Sequence, residues 1–256
     1  MKKLTIGILG SGNMAFCLGT ALMDAGYIVH EIIARNPKEG KKLSHLLHAK
    51  WKSDLHQMEG NADCYFVCLQ DNAIASVITE FPVKFKMLIH TSGSISIDVF
   101  KNYEGDFGVF YPVQTIKKDI TPDWKNTPVC IEANDRQSLK TLQLIAASIS
   151  KKIYPLNSEQ RLNLHLAAVF ANNFSNACFS MSEEITKASG LPFDLLRPLI
   201  LSTALNVQQT SPVKVQTGPA KRNDLKVLKK HQALLDESPE LLKIYRLLSR
   251  YISEEQ

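Results

Sequence analysis

The first part of the chain alternates short β-rich apolar runs with stretches in which apolar residues recur at helical spacing. Strands are predicted over residues 4–9, 28–34, 63–69, 87–90, 107–110, 129–132 and 152–154, and helices over residues 13–24, 37–47, 73–80 and 136–150. Each predicted helix has the length of a crossover between parallel strands. The pattern therefore predicts an α/β fold with a mostly parallel, doubly wound sheet.

The pattern changes after Pro155. Residues 158–188 contain no Gly or Pro, and their apolar side chains recur at helical spacing, which predicts one long helix ending at Gly190. Three further helices are predicted over residues 193–209, 219–235 and 239–253. We expect two closely packed domains, an N-terminal one over residues 1–154 and a C-terminal all-α one over residues 155–256, because no low-complexity linker separates them.

A motif of the form G-x-G-x-x-A lies between the first predicted strand and the first predicted helix. Gly10 allows a tight turn, Gly12 lets a pyrophosphate approach the backbone, and Ala15 lets the helix pack closely on the strand. The helix N-terminus then offers N–H groups to the phosphates. A merely structural glycine-rich turn is the alternative. In this position the motif predicts a doubly wound Rossmann domain whose cofactor-binding residues include Gly10, Ser11, Gly12, Asn13, Met14 and Ala15.

The end of the second predicted strand indicates which dinucleotide binds. NAD sites usually carry an acidic residue there for the ribose 2′-hydroxyl, but this chain has Arg35 and Asn36, followed by Lys38. A guanidinium attracts a 2′-phosphate, and Asn36 and Lys38 are additional donors. NADP(H) is therefore the expected cofactor, the alternative being that Arg35 is a solvated residue at a strand end.

Polar residues also follow the next two predicted strands. Leu69 ends one strand and is followed by Gln70, while His90 ends the next and is followed by Thr91 and Ser92. Because ligands bind at the carboxyl ends of parallel strands, we expect these residues to contact the nicotinamide ribose or the substrate. A plain turn and helix cap is the alternative for the serine-rich segment.

Composition narrows the classes of function. The chain has 30 basic and 25 acidic residues, a net charge of +5, and these charges are spread along the sequence. This distribution gives little support to a nucleic-acid or membrane-surface role. The five cysteines include no Cys-x-x-Cys pair and lie mostly in apolar runs, which favours reduced packing residues in a cytoplasmic protein and no metal site.

Five motifs follow one another along the chain: Gly10-Ser11-Gly12-Asn13-Met14-Ala15, His90-Thr91-Ser92-Gly93-Ser94, Tyr111-Pro112-Val113-Gln114-Thr115, Asn172-Asn173-Phe174 and Thr217-Gly218-Pro219-Ala220-Lys221-Arg222-Asn223-Asp224. In these motifs and their order the sequence resembles a known family of Rossmann-like NADP-binding proteins with a C-terminal domain of unknown function, described as NADP oxidoreductases. The layout is more distantly similar to pyrroline-5-carboxylate reductase and to the 6-phosphogluconate and β-hydroxyacid dehydrogenases. The resemblance implies a homodimer paired through the helical domains. The β-hydroxyacid enzymes place a catalytic lysine where this chain has Val169, so their acid–base chemistry does not transfer.

Candidate catalytic residues lie in the predicted helical domain. His165, Asn172 and Asn176 have the spacing i, i+7 and i+11, which places them on one face of a regular helix, and Asn173 is adjacent. Histidine can exchange a proton near neutral pH, and the amides can orient a carbonyl, imine or hydroxyl group. Buried polar residues at a domain or dimer contact are the alternative.

Two further regions are candidates for substrate binding. Tyr111 and Gln114 follow a predicted strand and are second-rank candidates, with packing around Pro112 as the competing explanation. Arg222 lies in the first turn of a predicted helix, where a cation is unfavourable unless an anion is bound, so we expect it to hold a substrate carboxylate or phosphate. A surface arginine without a partner is the alternative.

These features predict an NADP(H)-dependent oxidoreductase that transfers a hydride to or from a small anionic carbonyl, imine or hydroxyl compound. The other hypothesis is a non-catalytic dinucleotide-binding regulator or scaffold, because fold alone does not fix function.

Overall fold

The structure, a computed structural model, describes residues 4–81 and 84–254. The chain forms two compact units, Met1–Ala171 and Asn172–Gln256. They divide inside a long helical stretch, whereas the predicted domain boundary at residue 154 precedes that stretch.

The first unit contains the alternating strands and helices that the sequence pattern predicts. Its strands are β1 (Thr5–Leu9), β2 (Ile28–Ile33), β3 (Lys50–Lys52), β4 (Cys64–Val67), β5 (Met87–His90), β6 (Asp106–Pro112), β7 (Val129–Ala133) and β8 (Ile153–Pro155). Its α-helices are α1 (Asn13–Asp24), α2 (Pro37–Leu46), α3 (Asp71–Thr79), α4 (Arg136–Ile149) and α5 (Ser158–Ala168), and short 3-10 helices span Leu55–Gln57 and Ile97–Phe100. The short strand β3 is absent from the prediction.

The described strands form one sheet in the order β3-β2-β1-β4-β5-β6-β7-β8. Neighbouring strands are parallel except β6 and β7, which are antiparallel. The order reverses direction between β1 and β4, and such a switch point leaves a crevice at the carboxyl ends of the strands. The doubly wound Rossmann fold predicted from the sequence is confirmed.

The strands send alternate residues to opposite sides of the sheet, and both sides are buried in a hydrophobic core. Ile6 and Ile8 of β1 belong to one core cluster, which also contains Leu18 of α1 and Ile145 of α4. Leu9 belongs to a second cluster on the other face. Packing in the two cores holds the carboxyl ends of the strands in place, and the candidate site lies at these ends.

The second unit is helical. The helical stretch that begins with α5 continues through a π-helical segment, Val169–Phe174, into α6 (Ser175–Ala188). It is followed by a 3-10 turn (Phe193–Leu196), α7 (Arg197–Gln209), α8 (Pro212–Val215), α9 (Leu225–Leu234) and α10 (Pro239–Glu254). The π segment and α8 were not predicted.

The start of α9 corrects the predicted helix over residues 219–235. Asn223 has a φ of +53°, a left-handed conformation that does not continue a helix. Asp224 then caps α9, accepting a hydrogen bond from the Val227 N–H at 3.1 Å. Arg222 therefore precedes the helix and does not lie in its first turn, so the dipole argument for an anion at Arg222 is wrong.

Candidate functional site

A cleft of about 640 Å³ lies at the carboxyl ends of β1, β2 and β4, at the switch point of the sheet. Seven of the predicted cofactor residues line it: Gly10, Ser11, Gly12, Arg35, Asn36, Leu69 and Gln70. Ala73, Ser76 and Val77 of α3 and Glu80 add to its wall. These seven residues thus meet in one cavity large enough for part of a dinucleotide, whereas Asn13, Met14, Ala15, Thr91 and Ser92 do not line it.

The two motif glycines have different roles. Gly10 has a φ of +107°, and a Cβ there would lie 2.3 Å from the carbonyl oxygen of Cys68. Gly10 is therefore required by the backbone itself. Gly12 has an ordinary φ of −79°, and a Cβ there would meet nothing within 4 Å. The space beside Gly12 belongs to the cleft, so glycine there keeps the backbone accessible to a ligand.

The N-terminus of α1 fits an anionic group. Gly12 is its N-cap, with no capping side chain, and no acidic residue lies in its first turn. By contrast, Asn36 caps α2, Asp135 caps α4 and Asn157 caps α5. The N-terminus of α1, with its positive dipole end, therefore borders the cleft without a capping side chain or a carboxylate in its own first turn, as suits a pyrophosphate site. Ala15 is fully buried against the core, in agreement with its predicted packing role.

Arg35 lines the same cleft at the end of β2. Its side chain is exposed and takes part in no ion pair among the described residues. Asn36 uses its Oδ1 to accept from the backbone N–H groups of Lys38 and Glu39 at 3.0 and 3.2 Å. The amide of Asn36 remains as a donor beside a guanidinium, a combination that suits a phosphate.

The opposite wall was missed by the sequence reasoning. Residues 53–56, which follow β3, line the cleft, and Asp54 accepts a hydrogen bond from the His56 N–H at 2.8 Å. Trp51 of β3 anchors this wall by donating from Nε1 to the Ala34 carbonyl at 3.1 Å. The alternation Lys50-Trp51-Lys52 followed by a serine and an aspartate is the signal of a short edge strand and its cap.

The loop after β5 is built around buried polar residues. His90 is fully buried, its Nδ1 accepts from the Ser92 N–H at 3.2 Å, and burial lowers its pKa to about 3, so the ring is neutral. Thr91 and Ser92 are also buried, and the Ser92 hydroxyl accepts from the N–H groups of Ser94 and Ile95, both at 3.1 Å. These hydrogen bonds are typical of a turn, which was the alternative interpretation of the serine-rich segment. Neither Thr91 nor Ser92 lines the cleft.

Tyr111 and His165 form a pair at the same edge of the sheet. The Tyr111 hydroxyl and His165 Nδ1 are 3.1 Å apart, and their rings meet edge to face. Gly93 makes room for them, because a Cβ there would lie 2.7 Å from Tyr111 Cζ and 2.8 Å from His165 Nδ1. The half-buried pair brings a phenol and an imidazole into hydrogen-bond contact beside the loop after β5.

A buried polar network close by was also not predicted. Arg161 is 1% exposed, and its guanidinium contacts Glu132 and the Ile95 carbonyl and lies 3.3 Å from the Ser158 hydroxyl. Ser158 donates to Glu132 at 2.9 Å and accepts from the Ile97 N–H at 2.9 Å. The available sequence signal was a charged residue one helical turn before His165.

The remaining candidates belong to the second unit. Asn172 and Asn173 lie in the π-helical segment, and Asn176 follows in α6. A π turn contains more residues than an α turn, so the regular helical wheel that aligned His165 with Asn172 and Asn176 does not apply. Arg222 lies in the turn before α9, where its N–H donates to the Gly218 carbonyl at 3.3 Å.

No helix of the described segments is both long and apolar enough to cross a bilayer. Within the same segments, histidine, cysteine, aspartate and glutamate form no cluster that could hold a metal ion.

Known proteins match the chain along its whole length. A family model described as "NADP oxidoreductase coenzyme F420-dependent" matches residues 5–94, and one described as "Domain of unknown function (DUF2520)" matches residues 127–252. A solved structure described as a "putative NADP oxidoreductase" from Bacteroides fragilis is 36% identical, covers 98% of each chain and has a TM-score of 0.92. No curated protein matches significantly.

Two more distant structures share the fold. Pyrroline-5-carboxylate reductase from Coxiella burnetii is 16% identical, with 98% of this chain and 99% of that chain covered and a TM-score of 0.62. A reductive aminase from Aspergillus terreus, solved with NADPH and ethyl levulinate, is 14% identical, with 99% and 95% covered and a TM-score of 0.73.

The fold, the cleft and these matches define a Rossmann-type NADP oxidoreductase. More narrowly, the chain belongs to the family of the Bacteroides fragilis protein, in which an NADP oxidoreductase domain precedes a DUF2520 domain. NADP(H) is the cofactor of this family, which confirms the family and the cofactor predicted from the sequence.

Proposed function

We propose that the protein transfers a hydride between NADP(H) and a small carbonyl, imine or hydroxyl compound. The observation that carries the proposal is the cleft itself: a helix N-terminus without a side-chain cap beside an open Gly12, with Arg35 in the same cavity and in no ion pair within the described part of the chain. The nicotinamide of the bound cofactor supplies the hydride chemistry. The expectation of an anionic substrate rested on Arg222 in a helical first turn, and that support is lost because α9 begins at Leu225.

The chain's own residues divide the work of binding. The backbone of Gly10 and Gly12 and the free N–H groups of α1 hold the pyrophosphate. Arg35 holds the 2′-phosphate, with Asn36 as a second donor. Asp54 and Glu80 line the same cleft, but Arg35 forms no ion pair with either among the described residues, which leaves its guanidinium available to a 2′-phosphate and supports a preference for NADP(H) over NAD(H).

The Tyr111–His165 pair is proposed to hold the proton for the reaction. Reduction of a C=O or C=N bond leaves an electron pair on oxygen or nitrogen that must take up a proton, and oxidation requires the reverse. A phenol hydrogen-bonded to an imidazole at 3.1 Å can release or accept this proton and recover it from the partner ring. Asn172 and Asn173 remain proposed substrate contacts of the second unit.

Calorimetry with NADPH and NADH tests the cofactor assignment. Arg35→Gln should weaken NADPH binding about 10- to 100-fold, because one or two charge-assisted hydrogen bonds are lost, and should change NADH binding less than about 3-fold. Arg136→Gln, an exposed arginine at the start of α4, is the matched control. Equal losses for both nucleotides would show that Arg35 does not read the 2′-phosphate.

A panel of small carbonyl, imine and hydroxyl compounds, neutral and anionic, tests the reaction through NADPH absorbance. Tyr111→Phe and His165→Gln should lower turnover about 100-fold or more while NADPH affinity stays within about 3-fold of wild type. Tight NADPH binding without turnover across the panel would favour the non-catalytic regulator instead.

We also propose that the protein acts as a homodimer through its second unit. Among the described residues of this unit only Ala220 is buried. Leu199, Leu201 and Leu205 of α7 are 63%, 61% and 53% exposed. These side chains point in different directions around α7, and a helix with exposed apolar residues on more than one side is typical of one that packs against another surface. We propose a second copy of the chain as the partner that covers these residues, because it is present in every solution of the protein.

Sedimentation at several concentrations tests the dimer. The wild type should have twice the chain mass, and Leu199→Lys combined with Leu205→Lys should yield monomers. Leu144→Lys, an equally exposed apolar residue on α4 of the first unit, should leave the dimer intact. A wild-type protein that stays monomeric at all concentrations would contradict the proposal.

A reducing compartment such as the cytoplasm is proposed from the cysteines. All five are free thiols, and burial raises the pKa of the Cys64 and Cys68 thiols to about 12 and that of Cys130 to about 11. These thiols stay protonated and unreactive, as packing residues do.

A further inference from the structure

Arg161 is an unusual residue to find almost completely buried. Removing a guanidinium from water costs on the order of several kcal/mol unless its N–H groups find acceptors. Arg161 has Glu132 as counter-ion and the Ile95 carbonyl as a second acceptor, while its Nε is buried without a hydrogen bond. Arginine is suited to this setting because its planar fork can hold two separate acceptors at once.

The two acceptors lie on different segments of the first unit. Glu132 belongs to β7, whereas Ile95 belongs to the loop after β5. Arg161 itself belongs to α5, so one side chain joins three segments that are far apart in sequence. The Ser158 hydroxyl strengthens the junction, since it donates to Glu132 and accepts from the Ile97 N–H, each at 2.9 Å.

Two of these segments also lie beside the Tyr111–His165 pair, since His165 belongs to α5 and Gly93 to the loop after β5, while Tyr111 belongs to β6. His165 follows Arg161 by four residues, so the two side chains lie on one face of α5, one turn apart. Gly93, which contacts both rings of the pair, lies in the loop that Arg161 holds through Ile95. A rotation of α5 or a shift of the loop would therefore move His165 or Gly93 relative to Tyr111.

We infer that Arg161 is a positioning residue that fastens α5 to the loop after β5, so that the Tyr111–His165 hydrogen bond forms at one fixed place at the sheet edge. Its importance for the reaction rests on the proposed function. The positioning itself can be measured without a substrate.

The positive charge of Arg161 also affects the pKa of Tyr111. Burial raises the pKa of the Tyr111 hydroxyl, and the positive charge of Arg161 opposes that rise. Loss of the charge should therefore raise the Tyr111 pKa further. Loss of the fork alone, with the charge kept, should disturb the geometry and leave the Tyr111 pKa nearly unchanged.

Three variants and a control separate these effects. Arg161→Met removes charge and fork, Arg161→Lys keeps the charge without the fork, and Ser158→Ala removes only the bridging hydroxyl. Arg136→Met is the control, an exposed arginine whose charge and size match. Nitrogen-15 NMR of labelled histidines, with His165 assigned by its absence in His165→Gln, reports the tautomer of its ring. A pH titration of labelled tyrosines reports the Tyr111 pKa.

We expect one dominant His165 tautomer in the wild type and the control. Both Arg161 variants should show a tautomer mixture like that of an exposed histidine, and only Arg161→Met should raise the Tyr111 pKa. With a turned-over substrate, kcat should fall about 10- to 100-fold in Arg161→Met, as a displacement near 1 Å would cause, with NADPH affinity within about 3-fold of wild type.

Unchanged His165 signals in folded Arg161→Met would overturn the inference. If that variant does not fold, Ser158→Ala tests the inference instead. It should shift the His165 signals in the same direction, and the absence of a shift would equally overturn the inference. A wild type without turnover would refute the proposed function and leave the NMR result to decide the positioning role.

Discussion

Gly10 and Gly12 should respond in opposite ways to the same added methyl group. At Gly10 the φ of +107° and a Cβ only 2.3 Å from the Cys68 carbonyl oxygen force the backbone to shift. An L-residue in such a conformation costs about 1–2 kcal/mol, and the displaced backbone brings the total for Gly10→Ala to about 2–4 kcal/mol. In a chain of this length that corresponds to a Tm lowered by roughly 5–15 °C.

Gly12→Ala should leave the fold almost unchanged, because its Cβ meets nothing within 4 Å. The only expected cost is roughly 0.5–1 kcal/mol for alanine at an N-cap. The methyl group would instead occupy the space through which a pyrophosphate approaches the N–H groups of α1. We expect the NADPH Kd to rise about 10-fold or more, at least about 1.4 kcal/mol.

Thermal unfolding and calorimetry with NADPH, run on both variants, measure the two effects separately. A folded Gly12→Ala protein that binds NADPH as tightly as the wild type would refute the assignment of the phosphates to this backbone. A Gly10→Ala protein with wild-type Tm would refute the conformational argument.

Three further predictions concern single substitutions. Burial lowers the pKa of His90 to about 3, so between about pH 6.5 and 3 the unfolded chain binds a proton that the folded chain does not. The free energy of unfolding therefore decreases as the pH is lowered through this range. His90→Asn should remove about 2–3 kcal/mol of the loss between pH 6.5 and 4.5 in urea unfolding, and equal losses in both proteins would contradict this. Gly93→Ala places a Cβ 2.8 Å from His165 Nδ1 and should alter the histidine NMR spectrum while NADPH affinity stays within about 3-fold; an unaltered spectrum would argue against the contact. Tyr65→Phe removes a hydroxyl donor from the fully buried carboxylate of Glu31 and should cost about 1.5–3 kcal/mol in urea unfolding; a neutral effect would mean that the other donors suffice.

The part of the cofactor cleft formed by the ends of β1 and β2 was predictable because it is encoded locally, whereas the wall over residues 53–56 was not. Gly10 and Gly12 lie within three residues of the end of β1, and Arg35 lies two residues after β2. The order of strand, motif and helix then fixes which ends of the strands meet. A local signal therefore identified residues that the sheet order brings together in one cavity.

The rest of the candidate site depends on contacts between distant segments. Tyr111 and His165 are 54 residues apart, and Arg161 meets an acceptor 66 residues away. No periodicity encodes such a meeting. The helical wheel that aligned His165 with Asn176 failed because the chain inserts a π-helical segment, a choice that depends on packing and not on propensity.

Because the cleft and the Tyr111–His165 pair lie far apart along the sheet, substitutions in the two places should make additive contributions to the activation free energy. Arg35 follows β2 and Tyr111 lies in β6, and the sheet places β1, β4 and β5 between them. Four strand spacings of about 4.8 Å separate the two by roughly 19 Å, beyond the range at which substitutions usually couple. Once a substrate is identified, the losses of kcat/KM in Arg35→Gln and Tyr111→Phe should multiply in the double variant to within about 2-fold. A double variant no slower than Tyr111→Phe alone would show that Arg35 also acts through the proton-holding pair, and the separation of binding from proton transfer would be wrong.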